Sequence, residues 1–96
     1  MIYNLDKPRN IKIGMRAMDK FEKATGSKIM SLNTDDMSIY QMAALIWAGL
    51  NTEMTIEEVM DLIDEHSDMV EAGKVIEKAI KEAFPTDKKV KNAAKS

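Results

Sequence analysis

Ile11, Met15, Met18 and Phe21 recur at spacings of four, three and three residues, the period of one helical stripe, and Gly26 stands where a left-handed residue can end it. A first helix is expected near 10–25. Residues 1–9 read as a short irregular segment, with Pro8 restraining any earlier helix start. After Gly26, Ile29, Met30 and Leu32 read as core plugs in a connector, and Thr34, Asp35 and Asp36 offer side-chain acceptors for the start of a second helix. From Met37 to Ala48 only Ser38 and Gln41 are polar, so this helix, expected over 36–49 with Gly49 closing it, should be covered on most sides. Its alanines and methionine favour helix over a buried strand.

Thr55-Ile56-Glu57-Glu58 has the form of a capping box, with Met54 and Val59 at the positions of a hydrophobic staple. Ile56, Val59, Met60 and Ile63 then trace the stripe of a third helix, expected over 56–66. Ser67 or Asp68 is placed to cap a fourth, over 69–84. In it Met69, Ala72, Ile76, Ala79 and Ala83 form one row, widened by Gly73, Ile80 and Phe84, until Pro85 forbids continuation. Thr86 to Ser96 carries four lysines and little apolar mass, which predicts a disordered, flexible tail over 86–96. The pattern as a whole predicts an all-α fold, one domain over 1–85 with about four helices.

Composition narrows the class. A chain of 96 residues, 45% apolar, buries roughly 60–65% of its unfolded surface, enough for one core. The lack of cysteine excludes disulfides, thiolate zinc sites and thiol catalysis, and points to a reducing compartment. The longest apolar run, Met42 to Ala48, is seven residues, against the roughly 18 a membrane span needs. Residues 1–9 lack the pattern of a secretory signal, so a cytoplasmic location is expected and no membrane partner.

Charge alters the picture more. Fourteen basic and sixteen acidic residues nearly cancel, yet residues 51–72 hold eight acids and no Lys or Arg, whereas residues 1–30 hold seven basic residues and three acids. On the third helix Glu57, Asp61, Asp64, Glu65 and Asp68 share one face. That face is either a solvated surface that keeps the protein soluble, or one that meets a basic surface on another copy or another protein. A calcium loop does not fit, because the acids have helical spacing and no glycine lies among them. On the first helix Lys12, Arg16 and Lys20 form a basic row beside the apolar stripe.

Catalytic chemistry finds little support. His66 is the sole histidine and reads as a surface or helix-end residue, and no phosphate-loop, dinucleotide, nucleophile-elbow or zinc-protease motif occurs. A non-enzymatic protein without cofactor or metal is expected. Tyr40, Trp47 and the methionines Met37 and Met42 gather large or adaptable groups on the second helix, where they either form a groove for a partner peptide or, in the case of Trp47 and Tyr40, simply fill the core. The nine methionines are a surplus suited to a pliable surface. The residues expected to bind partners are therefore Tyr40, Met42 and Trp47, the acids Asp61, Asp64, Glu65 and Asp68, and the bases Lys12, Arg16 and Lys20.

The order of three segments resembles a known family: Lys20-Phe21-Glu22-Lys23-Ala24-Thr25-Gly26, then Met42 to Leu50 ending Ala48-Gly49-Leu50, then Thr55-Ile56-Glu57-Glu58-Val59-Met60-Asp61-Leu62-Ile63-Asp64, with Ala83-Phe84 after them. This succession, over about residues 10–84, is similar to the tail assembly chaperones of long-tailed phages and Gram-positive prophages. The resemblance implies a small helical protein of the host cytoplasm during phage assembly. It implies the tape measure protein and the tail tube protein as partners, and a longer form made by frameshifting in many members. The opposite charge poles add self-association, and no nucleic acid is expected. Two other readings stand beside it: a small helical regulator or adaptor binding protein or nucleic acid through its basic first helix and lysine tail, and a structural component of the virion.

Overall fold

The first ten residues depart from the irregular segment expected of them. In the computed structural model, which describes residues 1–28 and 36–83, Ile2–Asn4 (β1) and Pro8–Asn10 (β2) pair antiparallel, with Tyr3 opposite Arg9. Pro8 can open β2 because a first strand residue need not donate to the ladder. The Arg9 guanidinium clasps the turn by donating to both Asp6 carboxylate oxygens at 2.8 and 2.9 Å. The architecture is thus mostly helical, with four helices among the described residues and a short two-stranded sheet at the amino terminus.

The first helix, α1, spans Met15–Thr25 and not 10–25. Ile11 and Ile13 are both buried on an extended segment between β2 and α1, so the spacing from Ile11 to Met15 coincides with a helical step without being one. Met15, counted on the apolar stripe, is 86% exposed, and Ala17 and Phe21 carry the buried face instead. Gly26 ends α1 in the left-handed region at φ 74°, its N–H donating to the Glu22 carbonyl at 2.8 Å.

The central helix, α2, spans Ile39–Leu50 and starts from a cap other than the one expected. Ser38 Oγ accepts from the Gln41 N–H at 3.1 Å, and Gln41 Oε1 accepts from the Ser38 N–H at 2.9 Å, so Ser38-Ile39-Tyr40-Gln41 is a second capping box. Asp36 precedes it without capping it; Ile29, Met30, Leu32, Thr34 and Asp35 lie outside the described residues. Gly49 does not close α2 either. Asn51 does, in the left-handed region at φ 51°, while Gly49 lies within the last turn against the Ile11–Ile13 segment.

Helix α3 spans Ile56–His66 and α4 spans Met69–Ala83. The Thr55–Glu58 capping box is formed at 2.8 and 3.1 Å, because every residue it needs lies within one turn. Of the two residues considered for the start of α4, Asp68 accepts from the Glu71 N–H at 2.8 Å, whereas Ser67 Oγ accepts from the Tyr3 hydroxyl at 2.7 Å. Phe84, Pro85 and the tail expected over 86–96 lie outside the described residues.

Helices α1, α3 and α4 all pack against α2, which presents Ala43, Ala44, Leu45, Ile46 and Ala48 to the core. Its alanines let neighbours approach closely, and Phe21, Ile11 and Val59 fill the space between. Among the described residues no helix is long and apolar enough to cross a membrane. Because three helices share one central partner, the two ends of α2 are left to be covered by other means.

Candidate interaction surfaces

Around the amino-terminal half of α2 the cover is incomplete. Met37, Met42, Met69, Val70 and Gly73 line a hollow of about 240 Å³ between α2 and α4. A second, of about 110 Å³, is lined by Ile39, Met42, Met60, Ile63 and Met69 among others. The two share Met42 and Met69 and so form one groove across α2, α3 and α4. Val70 is 70% exposed and Met69 56%, with Ile39 also open on its rim. Large apolar side chains left open together in this way mark a surface suited to contact. Gly73 deepens the groove, since the nearest heavy atom to a side chain added there would be the Met42 methyl at 4.0 Å.

Of the aromatic residues expected at a binding surface, neither belongs to this groove. Tyr40 is 45% exposed on the first turn of α2, so it does not fill the core. Trp47 is half-buried: its Nε1 donates to the Met54 carbonyl at 2.6 Å, and the Lys20 ammonium lies 4.5 Å from its ring centroid. The reason is angular, for at 3.6 residues per turn Met42 and Trp47 diverge by about 140° on one helix. Met42 alone of the three lines the groove. Ile39 and Val70 carry no local signal in the sequence, and Gly73, expected to widen the apolar row of the fourth helix, lines the groove.

A second concavity, of about 700 Å³, lies at the opposite end of α2, between β2, the start of α1 and residues 48–51. Lys12, Arg16 and Lys20 all line it, joined by Lys7 and Arg9, and no carboxylate does. The basic row therefore exists, but Lys12 belongs to the extended segment and not to α1; its backbone N–H donates to the Gly49 carbonyl at 3.0 Å. The hairpin adds Lys7 and Arg9, which a helical reading could not bring there. Gly14 caps α1 without a side-chain hydrogen bond and no acid follows in the first turn, so the positive helix end adds to the same field. Among the described residues Arg9 is the one of the five neutralised by a salt bridge; hydrogen bonding from it holds the exposed Asp6 carboxyl down at about 2.

The acids of α3 are all at the surface. Glu57, Asp61, Asp64 and Glu65 are exposed, and Asp68 is exposed while capping α4. His66 is exposed at the end of α3, 3.9 Å from the Glu65 carboxylate. Among the described residues no group of three or more His, Cys, Asp or Glu side chains is arranged to hold a metal ion. The molecule thus offers three distinct surfaces: a methionine-lined groove, a basic cleft and an acidic helix face. Comparison with protein-family profiles, with curated proteins and with solved structures finds no match to this chain.

Proposed function

We propose that this protein is a non-enzymatic tail assembly chaperone that holds apolar helical stretches of a tape measure protein in its methionine-lined groove while tail tube subunits polymerise around them. The observation that carries the reading is the groove itself, with Met42 and Met69 shared between its two hollows and Val70 and Ile39 open on its rim. Methionine has three rotatable bonds and a polarizable sulfur, so such a lining adapts to clients of differing shape. A tape measure protein presents many non-identical amphipathic turns, and pliability suits it better than a rigid pocket would. The order of the segments ending Thr25-Gly26, Gly49-Leu50 and Ile63-Asp64 supports the same assignment.

Co-expression tests it. The wild-type chain should keep a co-expressed apolar helical fragment of a phage tape measure protein in the soluble fraction, and Val70→Glu, a change at an exposed position, should leave that fragment in the pellet. Equal solubility with wild type and with Val70→Glu, or none with either, overturns the reading. Recovery of the chain in purified virions would replace it with a structural role in the particle.

A further inference from the structure

The ion pairs among the described residues leave two surfaces of opposite charge unneutralised. Lys23 pairs with Asp19, Lys81 with Glu77 and Arg9 with Asp6. The side chains of Lys7, Lys12 and Arg16 make no ion pair among the described residues, and neither do Glu57, Asp61 and Asp64 on α3. Concentrating like charge opposes folding and is mildly unfavourable in both places. Both costs are relieved if the two surfaces meet.

We propose that the basic cleft between β2 and α1 receives the acidic face of α3 from a second copy of this chain. The fit is one of charge and of spacing. Arg16 and Lys20 stand one turn apart on α1, as do Glu57 and Asp61, and Asp61 and Glu65, on α3, so two helices laid side by side align bases with acids at intervals of about 5–6 Å. The cleft is concave, about 700 Å³, and edged by the almost fully exposed Met15, which supplies an apolar contact beside the ionic ones. A second copy is the occupant because the complementary surface is already present on the chain, at matching charge.

The two patches are different surfaces of one molecule, so the contact is made either twice over in a reciprocal twofold dimer or once per copy in a ring or chain of copies. Of the acids on this face Asp64 also lines the methionine groove, so the contact is tested at Glu57 and Asp61, and the proposal stands or falls independently of the function proposed above.

Sedimentation of the full chain decides it. In 50 mM NaCl the weight-average mass should rise above 10.8 kDa with concentration. In 500 mM NaCl the association constant should fall at least about tenfold, because the screening length shortens to a few ångströms. The paired reversals Lys12→Glu with Arg16→Glu, and Glu57→Lys with Asp61→Lys, should each give a monomer, and mixing the two variants should restore association. All four side chains are exposed, and a circular dichroism spectrum like that of wild type confirms that each variant is folded. Val70→Glu should associate as wild type does. A wild-type monomer in 50 mM salt, a single reversal that associates normally, or a mixture that stays monomeric overturns the proposal. So does association that appears only with added DNA, which would make nucleic acid the occupant.

Discussion

The two ends of α2 are packed in opposite ways. At its carboxyl end Gly49 lets the Ile11–Ile13 segment lie directly on the helix, and the Lys12 N–H to Gly49 carbonyl hydrogen bond fixes the segment in place. β-Branched side chains with few rotamers do the covering. At its amino end Met42 faces Met37, Met60 and Met69 around a groove left partly open, and Gly73 widens that groove instead of closing a contact. A glycine at one end therefore serves close packing, and a glycine at the other serves vacancy. One helix carries both a rigid seam and a pliable one, which lets the fold keep its shape while a surface on it adapts.

The largest effect expected from breaking this contrast comes at the sealed end. A Cβ at position 49 would stand 2.6 Å from Ile11 Cγ2 and 2.9 Å from Ile13 Cδ1, both on the buried segment that the hairpin holds. Gly49→Ala gains about 1 kcal/mol of helix propensity but must displace that segment, at a cost of about 1–3 kcal/mol plus the Lys12 hydrogen bond. A net loss of about 1–3 kcal/mol, or roughly 4–24 °C in melting temperature, is expected. Amide exchange at Lys12 should accelerate with it. A variant as stable as wild type, with Lys12 still protected, would mean that the seam is looser than its distances indicate.

A smaller effect is expected where the hairpin is pinned to the α3–α4 junction. The Tyr3 ring is buried and its hydroxyl donates to Ser67 Oγ at 2.7 Å, so Tyr3→Phe should cost about 1 kcal/mol. Burial raises the Tyr3 hydroxyl above its ordinary pKa of 10.0, and the nearby Glu71 and Asp68 carboxylates act in the same direction. A pKa raised in the folded state means that the contribution is fully present below pH 10 and is lost as pH climbs through the folded value. The stability gap between wild type and Tyr3→Phe should accordingly narrow above pH 10 in denaturant titrations. A gap that stays constant there would show that the hydroxyl is not sequestered.

What could be read from the sequence follows the range of the interactions concerned. The start of α3 was legible because Thr55 and Glu58 satisfy each other within one turn. The Ser38–Gln41 box has the same local form and was legible too, but the acceptors Thr34 to Asp36 drew the reading away from it. The hairpin was not legible: its strands are three residues long, its turn has no Asn-Gly or Asp-Gly signal, and its stability comes from Tyr3, Ile11 and Ile13 packing on distant helices. The alternation at Ile11 and Ile13 was the available clue, masked by the helical step from Ile11 to Met15. For the surfaces, Lys12, Arg16 and Lys20 do share a cleft, although through the hairpin and not through one helix. The methionine groove depends on how α4 crosses α2, which no local spacing encodes.

The slightest perturbation lies at the open end and runs the other way. Gly73 sits inside α4 with an ordinary negative φ, and a Cβ added there would meet only the Met42 methyl, at 4.0 Å. Gly73→Ala therefore removes backbone freedom from the unfolded chain without a clash, and should stabilise the fold by about 0.5–1 kcal/mol. The same methyl group that strains position 49 is accommodated at position 73, so thermal melts of the two alanine variants should move in opposite directions. Because one methyl fills little of a hollow of about 240 Å³, client retention by Gly73→Ala should match wild type. Gly73→Leu, whose side chain reaches across to Met42, should fill the hollow and impair retention while the helix remains formed. If Gly73→Ala destabilises the protein, the groove is more tightly closed than the open contact at Met42 implies, and methionine would be serving there as ordinary core.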